Sequence, residues 1–317
     1  MRIAALDLGS NSFLCLLCEA NQNGVIEIHK DLIEIVRIGQ DLNKTKRISK
    51  EALERARQCL TQFKSEIEIY KPEKIIAYAT SAARDAENKE DFFAIGKSLG
   101  ISIEVISGEK EAATTYKGVF WGNPSLSNND DGHEKQSAME DPTNLLIDIG
   151  GGSTEIICGK GCVFTESMSL NIGAVRMTEK WITHYPISDG EKKQLKEDIV
   201  LNLSNKLDKI KALKPRFVYA VAGTPTTLAA AHMGGAFLKE KIEGFSFTIK
   251  ELEDWEYKLS SASLVEIINI LKIPKGRADI IYSGVVILKT ILETVGAAQV
   301  LVSTKGVRYG IVANAFP

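Results

Sequence analysis

The octet Asp148-Ile149-Gly150-Gly151-Gly152-Ser153-Thr154-Glu155 combines two carboxylates, three glycines and two hydroxyls. Consecutive glycines let backbone N–H groups face a single point, an arrangement that suits a phosphate group. Carboxylates at both shoulders add hard oxygen donors of the kind that hold Mg2+ or another hard divalent cation. An ordinary glycine-rich hairpin explains the glycines but has no use for the two acids. Asp7-Leu8-Gly9-Ser10-Asn11-Ser12 repeats the theme near the start of the chain: Asp-x-Gly, then small polar residues, between two apolar runs. The repetition predicts two similar half-molecules, each contributing one phosphate loop.

Three further stretches bring reactive side chains to expected strand ends. Thr80-Ser81-Ala82-Ala83-Arg84 follows the apolar run Lys74 to Ala79 and sets Arg84 where ligands gather in α/β sheets. A solvated surface arginine is the plainer alternative. Ser107-Gly108-Glu109-Lys110-Glu111-Ala112 opens a helix, where Glu111 serves at least as a partner of the helix dipole. Ala222-Gly223-Thr224-Pro225-Thr226-Thr227-Leu228 is a strand-to-helix turn, either a capped helix start or an anion site at a helix N-terminus. Phosphate-suited loops together with strand-end acids describe phosphoryl transfer. That chemistry asks the protein for positioned donors, a cation to neutralise oxygen charge and a carboxylate to orient the nucleophile.

Periodicity indicates the elements that must hold these residues. Ile3 to Leu6 and Phe13 to Cys18 read as strands around the first loop, Asn144 to Ile147 and Ile156 to Cys158 as strands around the second. Val25 to Ile38 reads as a further strand, with Arg37 near its end. Ser49 caps a helix whose Leu53, Ala56, Leu60, Phe63 and Ile67 recur at spacings of three and four. Val163 to Leu170 reads as a strand, Gly173 to Trp181 as a helix carrying Arg176, and Ser188 to Lys211 as one long amphipathic helix. Phe217 to Val221 and Gln299 to Val302 are expected as buried strands, and Gly306 to Ala315 as a closing helix. Asn123 to Asp141 carries Asn, Ser, Asp and Gly with few large apolar side chains, which describes a mobile connection between domains.

A chain of 317 residues with 44% hydrophobic content buries a large core and suggests two domains. A formal charge of −2 supplies no field for nucleic acid, so a polyanion would have to be gripped by local Lys and Arg clusters. Asp7 and Ser10-Asn11-Ser12 break the apolar start before a signal-peptide core forms. The uncharged stretch Phe217 to Leu238 contains Gly223-Thr224-Pro225 and fits a strand, loop and helix better than a membrane span. Five cysteines, an odd number, point to a reducing cytoplasm. Cys15 and Cys18 form a C-x-x-C, but residues three apart in a strand point to opposite faces, which favours small buried side chains over a zinc site. No nucleic-acid or membrane partner is expected.

The ordered set Asp7 to Ser12, Thr80 to Arg84, Ser107 to Ala112, Asp148 to Glu155 and Gly223 to Ala229 resembles the signatures of the exopolyphosphatase and guanosine pentaphosphate phosphohydrolase (Ppx/GppA) family, from Ile3 to about Val312. The resemblance implies an α/β fold of the actin, hsp70 and sugar-kinase superfamily, with two ribonuclease-H-like domains around a cleft. It implies residues 1–120 plus 303–317 as domain I and 121–302 as domain II. Members remove the terminal phosphate of inorganic polyphosphate, of pppGpp, or of both. Carried over, Glu111 matches the base that activates water, Arg84 the arginine that contacts substrate, and Asp148 and Glu155 the acids of a Mg2+ site. Asp7, Gly9, Ser10, Asn11 and Ser12 match one phosphate loop, Gly150, Gly151, Gly152 and Ser153 the other. Gly223 and Thr224 match a nucleotide-associated loop. The expected partners are polyphosphate or a guanosine tetra- or pentaphosphate, with a homodimer as the candidate assembly.

Three departures stand out. Lys110 occupies a position where an acid often precedes the catalytic glutamate, the 123–141 stretch exceeds the usual connection, and the chain ends at Pro317, as in a short form without the family's extra helical domains. Arg37, Lys46, Arg47, Arg176, Lys275, Arg277, Lys305 and Arg308 are the candidates for a basic channel. The same fold serves ATP-dependent kinases and nucleotide-binding scaffolds, which stand as the rival readings.

Overall fold

Each Asp-x-Gly motif turns the chain between the two leading strands of a sheet. The computed structural model describes residues 1–122, 143–204 and 206–316; the expected connection at 123–141 lies outside them. The first sheet holds β1 (Arg2–Leu8), β2 (Ser12–Asn21), β3 (Gly24–Ile35), β4 (Lys74–Ala79) and β5 (Ile103–Val105) in the order β3-β2-β1-β4-β5. The second holds β6 (Thr143–Ile149), β7 (Thr154–Lys160), β8 (Val163–Leu170), β9 (Phe217–Val221), β10 (Ser246–Thr248) and β11 (Gln299–Val302) in the order β10-β11-β9-β6-β7-β8. In both, the first three strands are antiparallel neighbours and the next joins the leading strand in parallel. The second sheet is thus the first repeated, with an added edge strand. This is one ribonuclease-H-like strand arrangement in duplicate, a two-part α/β fold.

β1 is buried on both faces, which its unbroken apolar run requires. Ala4, Leu6 and Leu8 pack with Ala52, Ala56, Leu60, Phe63 and Ile67 of the helix Lys50–Tyr70. Ile3 and Ala5 pack with Ile311 and Val312 of the helix Val307–Asn314 on the other side. Cys15 joins the first cluster and Cys18 the second, opposite faces as their spacing demands. Each fully buried side chain of the Phe63 kind stabilises the fold by about 1.5–3 kcal/mol.

The helix Gly108–Phe120 lies between the sheets. Its Tyr116 and Phe120 pack on Leu146 and Ile157 of the second sheet, while its other side meets the helix Val307–Asn314. That approach is so close that a Cβ on Gly310 would stand 1.8 Å from the Thr114 carbonyl oxygen. Only glycine fits there, and the crossing fixes the height at which Glu111 enters the cleft.

Two expected elements differ. The strand over Val25 to Ile38 ends at Ile35: Val36 N and Arg37 N both donate to the Asn11 carbonyl, at 3.0 and 2.8 Å, so the first loop captures the strand's end. The long helix over Ser188 to Lys211 is two helices, Asp189–Leu203 and Asp208–Ala212. Ser204 takes an extended conformation between them, as suits a residue whose hydroxyl competes for backbone hydrogen bonds. No helix among the described residues is long and apolar enough to cross a membrane.

Candidate active site

The leading strands deliver Asp7 and Asp148 to one cleft, and the turns that follow them form its floor. Gly9 N donates to the Ser12 carbonyl at 3.1 Å, and Gly150 N to the Ser153 carbonyl at 2.9 Å, so the two loops share one turn. They face each other closely: a Cβ on Gly151 would lie 3.1 Å from Ser10 Cβ, and one on Gly152 2.5 Å from Ser81 Oγ. The cleft is lined by both loops, Asp7, Thr80, Ser81, Glu111, Asp148, Gly223 and Thr224, with Arg277, Lys305 and Arg308 as its cations.

Glu111 enters from the helix Gly108–Phe120, whose Ser107 cap accepts from Lys110 N at 3.2 Å. Only 7% exposed, it accepts at Oε2 a hydrogen bond of 2.6 Å from Arg84 Nη1, which also donates to the Ile106 carbonyl at 3.0 Å. Burial raises the Glu111 carboxyl above its usual range, while Arg84 and Thr80 pull the other way. One turn along the same helix, Thr115 Oγ1 donates to Asp148 Oδ2 at 3.0 Å.

Asp148 stands opposite Glu155 in the β6–β7 register. Glu155 Oε1 accepts from Ser169 Oγ at 2.8 Å, and its buried Oε2 has no protein partner. Glu155 is fully buried and lies behind the cleft rather than lining it. Burial, then repulsion from Glu111, pushes Asp148 up to about 7. Burial with Glu111 and Asp148 pushes Asp7 up to about 8, against the pull of Arg308. Glu155 is raised well above its usual range by burial, Glu111 and Asp148. Like charges in a shared low-dielectric site resist joint ionisation, so the retained protons belong to the cluster.

Arg84 is absent from the residues that line the cleft; its Nη1 is engaged by Glu111 and the Ile106 carbonyl. Arg277 takes the wall position instead: Nη2 donates to Ser12 Oγ at 3.1 Å, joining the second half of the molecule to the first loop. A Cβ on Gly223 would sit 1.6 Å from Arg277 Nη1, so the glycine of the third loop makes room for this arginine. Burial, and then Arg37, lowers the Arg277 guanidinium to about 10. Of the other basic candidates, Arg37 pairs with Asp279 and Arg176 with Asp85. Lys46, Arg47 and Lys275 do not line the cleft. Arg308 does, held from behind by Asp31 at 2.7 and 3.0 Å. Thr115 and Ser169 escaped the sequence reading, and Thr80 was read only as part of its motif. Only Thr115 carried a signal, its four-residue spacing from Glu111 on one helix.

This geometry agrees with what the whole chain resembles. The sequence profile of the Ppx/GppA phosphatase family matches residues 18–317. The chain belongs to the Ppx/GppA phosphatase family. Among its relatives, the bifunctional 3-dehydroquinate synthase/phosphatase of Fusobacterium nucleatum is 36% identical over 95% of this chain and 44% of that protein. The chain thus spans less than half of that relative's length. Exopolyphosphatase 2 of Mycobacterium tuberculosis is 29% identical over 98% of this chain and 97% of its own. The crystal structure of an exopolyphosphatase-like protein superposes with a TM-score of 0.87 at 29% identity, covering 99% of this chain and 97% of that one. The Aquifex aeolicus Ppx/GppA enzyme superposes with a TM-score of 0.78 at 28% identity, covering 99% of both.

Proposed function

We propose that this cleft removes the terminal phosphoryl group of a phosphate chain, inorganic polyphosphate or pppGpp, by attack of water. The observation that carries the reading is that Glu111, Asp148 and both phosphate loops line one cavity, with Arg277, Lys305 and Arg308 among its walls. The two loops offer backbone N–H groups and hydroxyls to the terminal phosphate. The cations match the charge of the phosphates that follow. Exopolyphosphatase 2, similar over nearly its whole length, is named for this reaction.

In this reading Glu111 is the base. Its carboxylate accepts a proton from water as the water oxygen bonds to the terminal phosphorus. The bridging P–O bond breaks, and its electron pair stays on the shortened chain. A raised pKa makes the ionised Glu111 a stronger acceptor than an exposed glutamate, and Arg84 fixes its orientation through a charge-assisted bond. In this reading Arg84 acts by orienting the base.

A hard divalent cation fits this donor set. Glu155 has a buried oxygen without a protein partner, and burial together with mutual repulsion raises Asp7, Asp148 and Glu155 above the usual carboxylate range, so a nearby cation would stabilise their ionised forms. Among the described residues no three such side chains converge as a cage; Mg2+ keeps waters and takes substrate oxygens alongside one or two carboxylates. Asp148 would hold it at the cleft, with Glu155 supporting from behind and Asp7 at the cavity wall. When bound it supplies charge neutralisation at the phosphoryl oxygens.

The test is orthophosphate release in Mg2+ buffer from long-chain polyphosphate, pppGpp and ATP, one preparation against all three. Release from either of the first two, exceeding that from ATP, is expected. Turnover of ATP alone would return the site to the kinases and scaffolds of this fold.

A further inference from the structure

The cleft changes character between its floor and its mouth. Its floor is made of the buried phosphate loops, but its lining also takes in Leu14, Ile33 and Phe237, whose side chains carry neither charge nor hydrogen-bonding group. Leu14 and Ile33 are direct partners in the β2–β3 register. Phe13 and Cys15, on either side of Leu14, pack toward the helix Lys50–Tyr70, so Leu14 stands on the opposite face of β2 with Leu16. Leu16 packs there with Val307, Ile311 and Val312 of the last helix. Val307, the first residue of that helix, already lines the cleft, so Leu14 emerges where the helix ends.

Phe237 comes from the other half of the molecule. Two residues on, Lys239 Nζ donates to Asp31 Oδ2 at 3.1 Å and to the Tyr309 hydroxyl. These bonds pin the segment against β3, two residues from Ile33. Phe237 is 49% exposed and Ile33 40%, so the two halves do not bury this apolar surface against each other. A single exposed apolar side chain is ordinary. Three that converge from both halves on the mouth of a phosphate cleft form a shelf.

We infer that this shelf takes the base of a nucleoside-capped phosphate chain by its flat face alone, so that the adenosine counterpart of pppGpp serves as well as pppGpp. The inference rests on the proposed function. A ligand that suits the cleft from end to end is anionic where it meets the loops, Arg277, Lys305 and Arg308, and flat and apolar where it meets Leu14, Ile33 and Phe237. A long inorganic polyphosphate would set further negative charges on a shelf that has no cation to answer them. Stacking does not distinguish one base from another, because every base has a π-face. Telling guanine from adenine takes a partner at the base edge, above all an acceptor for the N–H groups of guanine. The carboxylate nearest to Ile33 along its face of β3 is Asp31, and both its oxygens are committed: Oδ1 to Arg308 Nε at 2.7 Å, Oδ2 to Arg308 Nη2 at 3.0 Å and to Lys239. Two hydroxyls of the cleft lining are committed as well, Thr304 to Glu243 and Thr226 to the Ala222 carbonyl. The bond broken is the same for either base, and the products are orthophosphate and the nucleotide with one phosphate fewer.

The test compares pppGpp, its adenosine counterpart and tripolyphosphate in Mg2+ buffer, by calorimetric Kd on Glu111→Gln and by kcat and KM on the active protein. The two nucleotides are expected within about threefold of each other in Kd and KM. Phe237→Ala should raise both constants about tenfold for either nucleotide, the scale of one stacked base, with kcat and the tripolyphosphate constants within about twofold of their starting values. Phe237→Tyr should restore nucleotide binding. Leu238→Ala, an exposed apolar position outside the cleft lining, is the control and should change nothing. A preference for guanine above about tenfold would overturn the inference, since a site that hydrogen-bonds the base edge discriminates strongly. Unchanged nucleotide binding in Phe237→Ala would sink the shelf, and an equal loss for tripolyphosphate would make Phe237 a structural support. Absence of phosphate release from every substrate counts against the hydrolase reading alone, because the Kd values on Glu111→Gln need no turnover and still decide the shelf.

Discussion

Arg84 and Glu111 form an ion pair of 2.6 Å, and the glutamate stays above its usual pKa in spite of it. Burial outweighs the arginine. The pair couples the short helix Ser81–Asp85 that follows β4 to the start of the helix Gly108–Phe120, so an arginine and a carboxylate 27 residues apart in sequence act as one unit.

Glu111→Gln keeps the shape and the contact with Arg84 but cannot take a proton. A fall in kcat of roughly 10²- to 10⁴-fold is expected, with KM changed by much less. Arg84→Ala should lower kcat more than it raises KM, because Arg84 orients the base instead of lining the cleft. Steady-state kinetics on polyphosphate and pppGpp separate the two effects, and a rise in KM with normal kcat for Arg84→Ala would restore it to the substrate.

The acid cluster sets a pH dependence of stability. Asp7 is raised to about 8 and Asp148 to about 7 in the folded protein, so the native state holds protons that the unfolded chain gives up near pH 4. Their contribution is fully present below about pH 4 and lost as pH rises through about 7 to 8. The Tm of protein freed of divalent cations should therefore decline between pH 5 and 9, and Asp7→Asn should flatten the decline. Mg2+ should raise Tm more at pH 8 than at pH 5, since proton and cation compete for the same oxygens. Calorimetry showing identical slopes for wild type and Asp7→Asn would contradict this assignment.

Gly223→Ala tests the wall arginine. The added methyl collides with the flexible tip of Arg277, not with backbone, so the fold should survive while the Ser12 contact is lost. KM should rise by about tenfold, the scale of a charge-assisted hydrogen bond. Arg277→Ala should do the same, and the double variant should be no worse than either single one. Additive losses would show that Gly223 has a separate role.

Asp31→Ala strands Arg308 in the interior. Burial alone would raise the Asp31 carboxyl, yet Arg308 and Lys239 hold it below its usual value. Removing one partner of a buried pair costs about 3–5 kcal/mol, which denaturant titration would register as a clear drop in midpoint. Asp31→Leu/Arg308→Met should recover much of it, although the loss of a cleft cation should then weaken substrate binding. Full stability in Asp31→Ala would mean that Arg308 finds another partner.

Much of this protein was legible in its sequence because the signals were local. A glycine turn after an aspartate needs only its own neighbours, and so the two loops, their flanking strands and the caps at Ser49 and Ser107 follow from nearby residues. Repetition of Asp-x-Gly-x-x-Ser foretold the duplicated sheet. Tertiary structure alone decided which face of each element met which. The position of Glu111 depends on a helix that packs on the second sheet and crosses Gly310. The pairing of Arg84 depends on where Glu111 comes to rest, and the wall position of Arg277 depends on the space left by Gly223. Glu155 shows the limit best: its place opposite Asp148 follows from the hairpin, but its complete burial follows from β8 laying Ser169 over it. Local sequence specifies turns and periods, whereas contacts between residues far apart arise only when whole faces are buried against each other.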